Sequence, residues 1–336
     1  MSKSWLKINN EFHEESFEYN DVFIVPKYSD ILTRTEVSTS SKIGNLTVKV
    51  PVLTANMDTI TGVDMAIAAF ENGALGCLHR FMSIEENIKE FLAVKHKECE
   101  CFVSIGVNRD SKERAIELYR AGARYFILDI AHGHSLNAKN MATWFKTEFS
   151  DAHLMIGNIA HPQAVRDLED WGADSIKVGI GPGANCLTKD VTGVTAPQLS
   201  AVAMCAGQAK VPVVADGGIK TIGDIAKALA AGASFVMVGG MVSGADECPG
   251  EVIDNGGDKF KIYRGMASRD AMRVIRTENQ MPTPEGKVTS VPLKGPVKNI
   301  IEDMAGGLRS AFSYVNARNL DEFQSKATFG VRRTVK

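Results

Sequence analysis

The sequence predicts a (β/α)8 barrel, on three observations. Eight short runs, continuously apolar and rich in β-branched residues, recur along the 336 residues. Helical stretches with their own start and stop signals lie between most of them. A Gly-Ala phrase closes four of those helices, at 73–74, 122–123, 172–173 and 232–233, at intervals of 49, 50 and 60 residues. Those intervals are about two βα units long, in agreement with the strand count.

The runs are VPVLTAN (50–56), ALGCLHR (74–80), CFVSIGV (101–107), YFILDIA (125–131), HLMIGNI (153–159), SIKVGIG (175–181), VPVVADG (211–217) and FVMVGG (235–240). A half-exposed strand would alternate apolar and polar residues. Unbroken apolarity marks parallel strands with both faces covered. Between them, Ser83 with Glu86, Asp110 with Glu113 and Thr195 with Gln198 have capping-box spacing, and Thr61 and Thr221 are further N-cap candidates. Each Gly-Ala glycine sits just before a strand, where a left-handed residue would end the helix. Strands alternating with helices give a barrel or a doubly wound sheet. The sheet wants a glycine-rich turn after its first strand, and ANMDTITG (55–62) has none. One barrel domain over 1–336 is therefore expected, with an N-terminal extension over 1–18, the barrel over about 45–330 and a mobile C-terminal flap over about 268–290.

Composition narrows the function. A hydrophobic content of 44% with 23% charged residues is that of a soluble globular protein. A formal charge of −2 and dispersed Lys/Arg give no basic field for nucleic acid. No apolar run reaches transmembrane length, and MSKSWLKINNEFHEES lacks a signal-peptide core. The six cysteines (77, 99, 101, 186, 205, 248) show neither CxxC nor metal-finger spacing, so free thiols in a reducing cytoplasm are expected.

In a barrel, the strand C-termini face the active site. Polar groups or glycines follow all eight runs: Asn56 and Asp58, His79 and Arg80, Asn108 and Arg109, Asp129 and His132, Asn158, the loop bearing Cys186, Asp216-Gly217-Gly218, and Gly239-Gly240. A purely structural barrel end has no need of them, so an enzyme is expected. Barrels often hold a phosphate after the seventh and eighth strands, on backbone N–H groups that glycine lets come close. Gly217, Gly218, Gly239 and Gly240 are candidate phosphate ligands, and Asp216 a candidate acceptor for ribose hydroxyls. Cys186, in GIGPGANCLTKDVTG (179–193), stands in a glycine loop where a planar electrophile can lie against it. Its thiolate is a candidate nucleophile and Thr188 a candidate proton exchanger. The other five cysteines read as small buried residues or loop incidentals. His-x-His in DIAHGHS (129–135) lacks partners for a metal site, although His79 is a possible third ligand. Asp129 is the better hydrogen-bond acceptor for substrate or cofactor. The GIGPGA glycines can turn carbonyls inward and, with the Cys186 carbonyl, suit a monovalent cation. PEGKVTSVPLKGP (284–296) follows the polar RTENQMPTP (276–284) and reads as part of the flap; spacing alone leaves Glu285 either a solvated loop acid or a functional one.

Taken together and in order, YNDVFIVP (19–26), ANMDTIT (55–61), GALGCLHRF (73–81), DIAHGHS, GADSIKVGIGPG (172–183), ADGGIKTIGDIAKALAAGA (215–233), YRGMAS (263–268) and PEGK (284–287) resemble the IMP dehydrogenase/GMP reductase family over about residues 16–330. The resemblance implies a purine-nucleotide-binding barrel, usually a homotetramer, in which a cysteine attacks C2 of the base and hydride passes between C2 and a nicotinamide. It implies that Cys186 is the nucleophile and that Thr188 and Glu285 handle ammonia or water. It assigns Asp216 to the ribose, and Gly217, Gly218, Gly239, Gly240 and Tyr263, with Gly265, Met266 and Ala267 beside it, to the nucleotide. Arg80, Asp129, Ala131, Ile180 and Gly181 fall in the nicotinamide nucleotide's region, and Gly181, Gly183 and Cys186 in a potassium loop.

Within the family the chain looks most like the reductase branch. Its segments are too short for the regulatory CBS pair that dehydrogenases usually insert. Between Ser268 and Glu285 there are Arg273 and Arg276 but no tyrosine, whereas dehydrogenases carry an Arg-Tyr dyad that activates water. The implied reaction is reductive deamination of GMP to IMP by NADPH. Four features depart from that pattern. Ala184 replaces the usual Ser or Lys of the loop, Thr195 a common glycine, and Pro282 an arginine; ADECPGE, YRGMAS and GGLRSAFSYV (306–315) lean toward dehydrogenases. A compact dehydrogenase, a reductase for a deoxy or modified purine nucleotide, and a nucleotide-binding barrel without catalysis are the alternatives.

Overall fold

A computed structural model describes residues 16–108, 110–273 and 283–332. Its centre is a closed barrel of eight parallel strands: β1 Val52–Thr54, β2 Leu75–Leu78, β3 Cys101–Ile105, β4 Tyr125–Asp129, β5 His153–Ile159, β6 Ser175–Val178, β7 Val213–Asp216 and β8 Phe235–Val238. Each pairs with its neighbours in chain order, and β8 closes on β1 through Val236↔Val52, Met237↔Leu53 and Val238↔Thr54. All eight lie within the apolar runs of the sequence.

Helices α1 Val63–Glu71, α2 Ile84–Lys95, α3 Ser111–Arg120, α4 Leu136–Glu148, α5 Pro162–Asp170, α6 Gln198–Ala206, α7 Ile222–Ala230 and α8 Val297–Tyr314 alternate with the strands. Their apolar faces cover the barrel, so Phe102, Phe126, Phe145 and Phe235 are fully buried. Among the described residues no helix is long and apolar enough to cross a membrane.

The Gly-Ala phrase proves to be one motif used four times. Gly73, Gly122, Gly172 and Gly232 all have positive φ, +81°, +103°, +97° and +107°. In each case the alanine N–H reaches back five residues to a helix carbonyl (Ala74 to Ala69, 2.8 Å; Ala123 to Leu118, 3.0 Å; Ala173 to Leu168, 2.9 Å; Ala233 to Ala228, 3.1 Å). This closure satisfies a carbonyl that a helix end leaves orphaned, and only glycine adopts the conformation without strain.

Only some of the expected caps form. Ser83–Glu86 makes a full capping box, and Thr221 makes one with Asp224. Asp110 stands at the N-cap of α3 but makes no cap bond, its carboxylate turning to Arg114 at 3.0 Å. The Thr195–Gln198 box does not form: α6 begins after Pro197, Thr195 Oγ1 donates to the Ile180 carbonyl at 2.9 Å, and Gln198 Nε2 donates to the carbonyls of Val178 and Asp216. Thr61 likewise leaves the N-cap to Gly62 and bonds back to Thr54 and Ala55. In these three cases a partner other than the helix N-terminus captured the polar side chain.

Outside the barrel, strand Val22–Ile24 pairs antiparallel with Phe329–Val331. The hairpin Ser41–Ile43/Leu46–Val48 places Gly44 against His153 and Tyr125, at the N-terminal ends of β5 and β4. A three-stranded antiparallel sheet, β9 Ile253–Asn255, β10 Asp258–Arg264 and β11 Val288–Pro292, follows β8. Of the expected extension 1–18, residues 1–15 lie outside the described residues, as do 274–282 of the expected flap, with Arg276 and Pro282, and the strand-end Arg109.

Candidate active site

A cavity of about 880 Å³ opens among the C-terminal ends of the barrel strands. That is roomy for a small ligand, since typical pockets span roughly 300–1,000 Å³. Residues from very different parts of the sequence line it, among them Arg80, Asp129, Cys186, Asp216, Gly239 and Glu285.

Cys186 is half-buried, whereas the other five cysteines are buried. Burial pushes those thiols up, Cys205 to about 12. A buried, protonated thiol is inert, so Cys186 alone combines access with a place in the cavity. Its Sγ lies 3.2 Å from Thr188 Oγ1, and that hydroxyl donates to Glu285 Oε2 at 2.7 Å. The fold thus brings Glu285 to the site, a placement that spacing alone leaves undecided.

Backbone pairing holds this line of three groups. The Leu187 N–H donates to the Glu285 carbonyl at 2.6 Å and the Lys287 N–H to the Asn185 carbonyl at 3.0 Å, with Cys186 bridged antiparallel to Gly286. A third segment packs beneath. A Cβ on Gly286 would sit 2.7 Å from Ser268 N, and one on Gly265 2.7 Å from Asn185 O. Asn185, buried, ties the cysteine loop to β10 by donating to the Tyr263 carbonyl at 2.9 Å. Neither Asn185 nor this clamp is legible from spacing, because the contacts join segments far apart in the chain, 78 residues in the case of Asn185 and Tyr263.

Lys177 is the largest feature that sequence reasoning missed. It sits within β6, its side chain 3% exposed, with Nζ 3.1 Å from Asp129 Oδ1 and 2.7 Å from Asp216 Oδ2. Asn158 Oδ1 accepts from the same ammonium, while Asn158 Nδ2 donates to Asp216 Oδ2 at 2.8 Å. Burial works to pull Lys177 down, but the charges of Asp216 and Asp129 and their hydrogen bonds outweigh it and raise its pKa. Burial likewise works to raise Asp129, yet Lys177, then Arg80, and hydrogen bonds from Lys177 and Asn56 hold it below the usual carboxylate range. Asp129 therefore stays ionised as an acceptor, and the ammonium faces both acids. A lysine inside an otherwise apolar parallel strand was the available signal, since unpaired lysines are almost never fully buried.

Asp216 leads into Gly217 and Gly218, both at positive φ (+93° and +76°) and packed on Pro182. Gly239 and Gly240 follow β8, and a Cβ on Gly239 would sit 3.0 Å from Tyr263 Oη. Tyr263 is 6% exposed, and burial, then Asp216, pushes its phenol up to about 12, so it remains a donor. Met266, Gly265 and Ala267 line the same wall. On the side of β2 and β4, Arg80 Nη2 donates to the Asp129 carbonyl at 3.3 Å and lies over Phe81, with Ala131, Ile180 and Gly181 on the cavity wall. His79 is buried, and desolvation lowers it to about 4, so it is neutral near pH 7. His134 pairs instead with Asp167 at 2.7 Å, and no cluster of His, Cys, Asp or Glu among the described residues could hold a metal ion.

Residues 16–335 match the IMP dehydrogenase/GMP reductase domain. The chain belongs to that family. A GMP reductase of Lactobacillus delbrueckii subsp. bulgaricus is 38% identical over 333 residues, spanning 98% of each chain. GMP reductase 1 of Mus musculus is 38% identical over 325 residues, 93% of this chain and 94% of its own. A GMP reductase from Trypanosoma brucei, solved in complex with guanosine 5'-monophosphate, superposes with a TM-score of 0.88 at 28% identity, over 99% of this chain and 97% of that one. The expectation of an oxidoreductase barrel is borne out by this membership in the IMP dehydrogenase/GMP reductase family.

Proposed function

We propose that this protein is a GMP reductase, converting GMP to IMP and ammonia at the expense of NADPH. The observation that carries the reading is the line Cys186 Sγ–Thr188 Oγ1–Glu285 Oε2, at 3.2 and 2.7 Å, in a cavity also lined by the two glycine pairs. C2 of guanine is electron-poor, lying between two ring nitrogens and bearing the amino group to be lost. The Cys186 thiolate forms a bond to C2, and a proton passed along Glu285 and Thr188 lets the amino group depart as ammonia. A thioimidate remains on Cys186. NADPH supplies the two electrons, as hydride to C2. The C–S bond then breaks, returning the thiolate and leaving C2–H in IMP. One proton from solvent balances release of ammonia, and a second converts it to ammonium.

The other residues position the reactants. Asp216, fixed by Lys177 and Asn158, accepts from the ribose hydroxyls. The Gly217-Gly218 and Gly239-Gly240 amides and the Tyr263 hydroxyl receive the 5'-phosphate. The wall of Arg80, Asp129, Ala131, Ile180 and Gly181 suits a nicotinamide nucleotide, because Asp129 offers a charged acceptor beside apolar surface. The choice of NADPH over NADH rests on the family. The carbonyls of Gly181, Gly183 and Cys186 would supply oxygen ligands to a potassium ion; that of Gly183 accepts from the Cys186 N–H at 3.0 Å and keeps a second lone pair. A homotetrameric, cytoplasmic enzyme built as one barrel domain completes the reading.

The test is nicotinamide absorbance with GMP and NADPH, or with IMP and NAD, in wild type and Cys186→Ala. Oxidation of NADPH with GMP, abolished in the variant, is expected. Turnover only with IMP and NAD would select a compact dehydrogenase, and binding without turnover a non-catalytic barrel.

A further inference from the structure

Two lysines outside the cavity grip the segment that follows β8. Lys261 is 5% exposed, and its ammonium donates to three carbonyls, those of Ala245 (3.3 Å), Asp246 (2.9 Å) and Cys248 (2.6 Å). Three donors meet three acceptors, so its hydrogen bonding is complete. Lys294 Nζ donates to the carbonyls of Gly240 (2.8 Å) and Met241 (3.0 Å). Neither ammonium takes part in an ion pair among the described residues, whereas the buried Lys177 has two carboxylates. For the buried Lys261 a charge without a counterion is costly, whereas Lys294 is exposed and is held in place by its two carbonyls. Both cations also lie against the same segment.

The direction of the peptides says what this does. The Gly240 carbonyl is held by Lys294 and by Ser243 Oγ (2.8 Å), and the Gly239 carbonyl by the N–H groups of Val242 (3.1 Å) and Ser243 (2.9 Å). In a trans peptide the N–H points opposite to the C=O. The Gly240 and Met241 N–H groups are thereby turned away from these partners, and neither finds an acceptor among the described residues. Adjacent N–H groups aimed one way make an anion-binding concavity. Residues 240 and 241 line the cavity. From the other side comes Tyr263, two residues after Lys261 on the same face of β10, by the period of a strand.

We propose that Lys294 is a positioning residue for a dianionic 5'-phosphate: without touching it, its ammonium fixes the Gly240 carbonyl, and with it the direction of the Met241 N–H, and places positive charge beside that amide, while Lys261 holds the segment that follows. This rests on the GMP reductase reading and deepens it, making the phosphate rather than the base the group that Lys294 selects.

The test compares dissociation constants of GMP and guanosine, the same base and sugar with and without phosphate, by titration and competition. The variants are Lys294→Met and Lys294→Arg; Lys261→Met strands three carbonyls, so the Lys294 pair carries the decision. In Lys294→Met the ratio of guanosine to GMP dissociation constants should fall about tenfold, with guanosine itself unchanged, and Lys294→Arg should restore most of it. An unchanged ratio, or equal weakening of both ligands, overturns the proposal. Wild-type protein that binds GMP no better than guanosine would instead remove the phosphate site, a separate failure that the wild-type titration shows alone.

Discussion

Replacing Lys177 with Met removes the one cation between Asp129 and Asp216, and the structure sets both the size and the sign of the effect. Breaking a buried ion pair costs about 3–5 kcal/mol, because a charge is left without its partner. Here each carboxylate keeps 22% of its side-chain surface, so the loss belongs near the lower limit, about 3 kcal/mol. For a chain of this length, unfolding entropy of about 2.1 cal/mol/K per residue turns that into a fall in melting temperature of about 4 °C. The pH dependence is the sharper signature. In the wild type Lys177 helps hold Asp129 low, so the stability from that acid is present above its unfolded pKa and is lost only as the pH falls below about 4. Without the cation, the burial that works to raise Asp129 is no longer opposed by Lys177, and the folded pKa of Asp129 rises. The folded variant then binds more protons than the unfolded chain, and its stability falls as pH rises through that range. Melting curves of wild type and variant between pH 5 and 8 should therefore show a deficit that grows with pH. Titrating histidines cancel in the difference. A deficit that is absent, or that shrinks toward pH 8, refutes the bridging role.

Other substitutions probe the remaining parts. Glu285→Gln should slow NADPH oxidation by about 10²–10⁴-fold, the range for losing a general acid, with GMP still bound. Gly286→Ala forces a Cβ to 2.7 Å from a backbone nitrogen, so about 1–3 kcal/mol of stability should be lost in denaturant melts, with activity falling as Glu285 moves from Thr188. His79 and His153 are both buried and depressed to about 4 by desolvation, so stability should decline as pH falls from the unfolded pKa of about 6.5 toward 4. His79→Gln should flatten part of that slope in denaturant titrations at successive pH values, and an unaltered slope would place the proton uptake elsewhere.

The barrel was legible because its signals are local: continuous apolar runs, and glycines that must end a helix in a left-handed turn. The expected caps that do not form fail where another partner won, as when Ile180 drew the Thr195 hydroxyl and Arg114 the Asp110 carboxylate. The same division runs through the site. Cys186 and the glycine pairs announce themselves within a few residues, and strand-end position suffices to place them. Glu285 is 97 residues from Thr188, so its role came only with the family resemblance, and its 2.7 Å contact only with the fold. Lys177 escapes notice because a strand is recognised by its apolar neighbours, which tell nothing of two acids on other strands. Lys261 and Lys294 carry no local signal either, since their partners are backbone carbonyls, which every residue has.

The most direct measurement is the mass of the protein quenched during turnover with GMP and NADPH, with fragments assigned by tandem mass spectrometry. A purine nucleotide lacking its 2-amino nitrogen, joined to the peptide that contains Cys186, is the predicted species, with ammonia and oxidised NADPH formed in equal amounts. Steady conversion of GMP while Cys186 stays unmodified, with Cys186→Ala equally active, would contradict covalent attack by that sulfur.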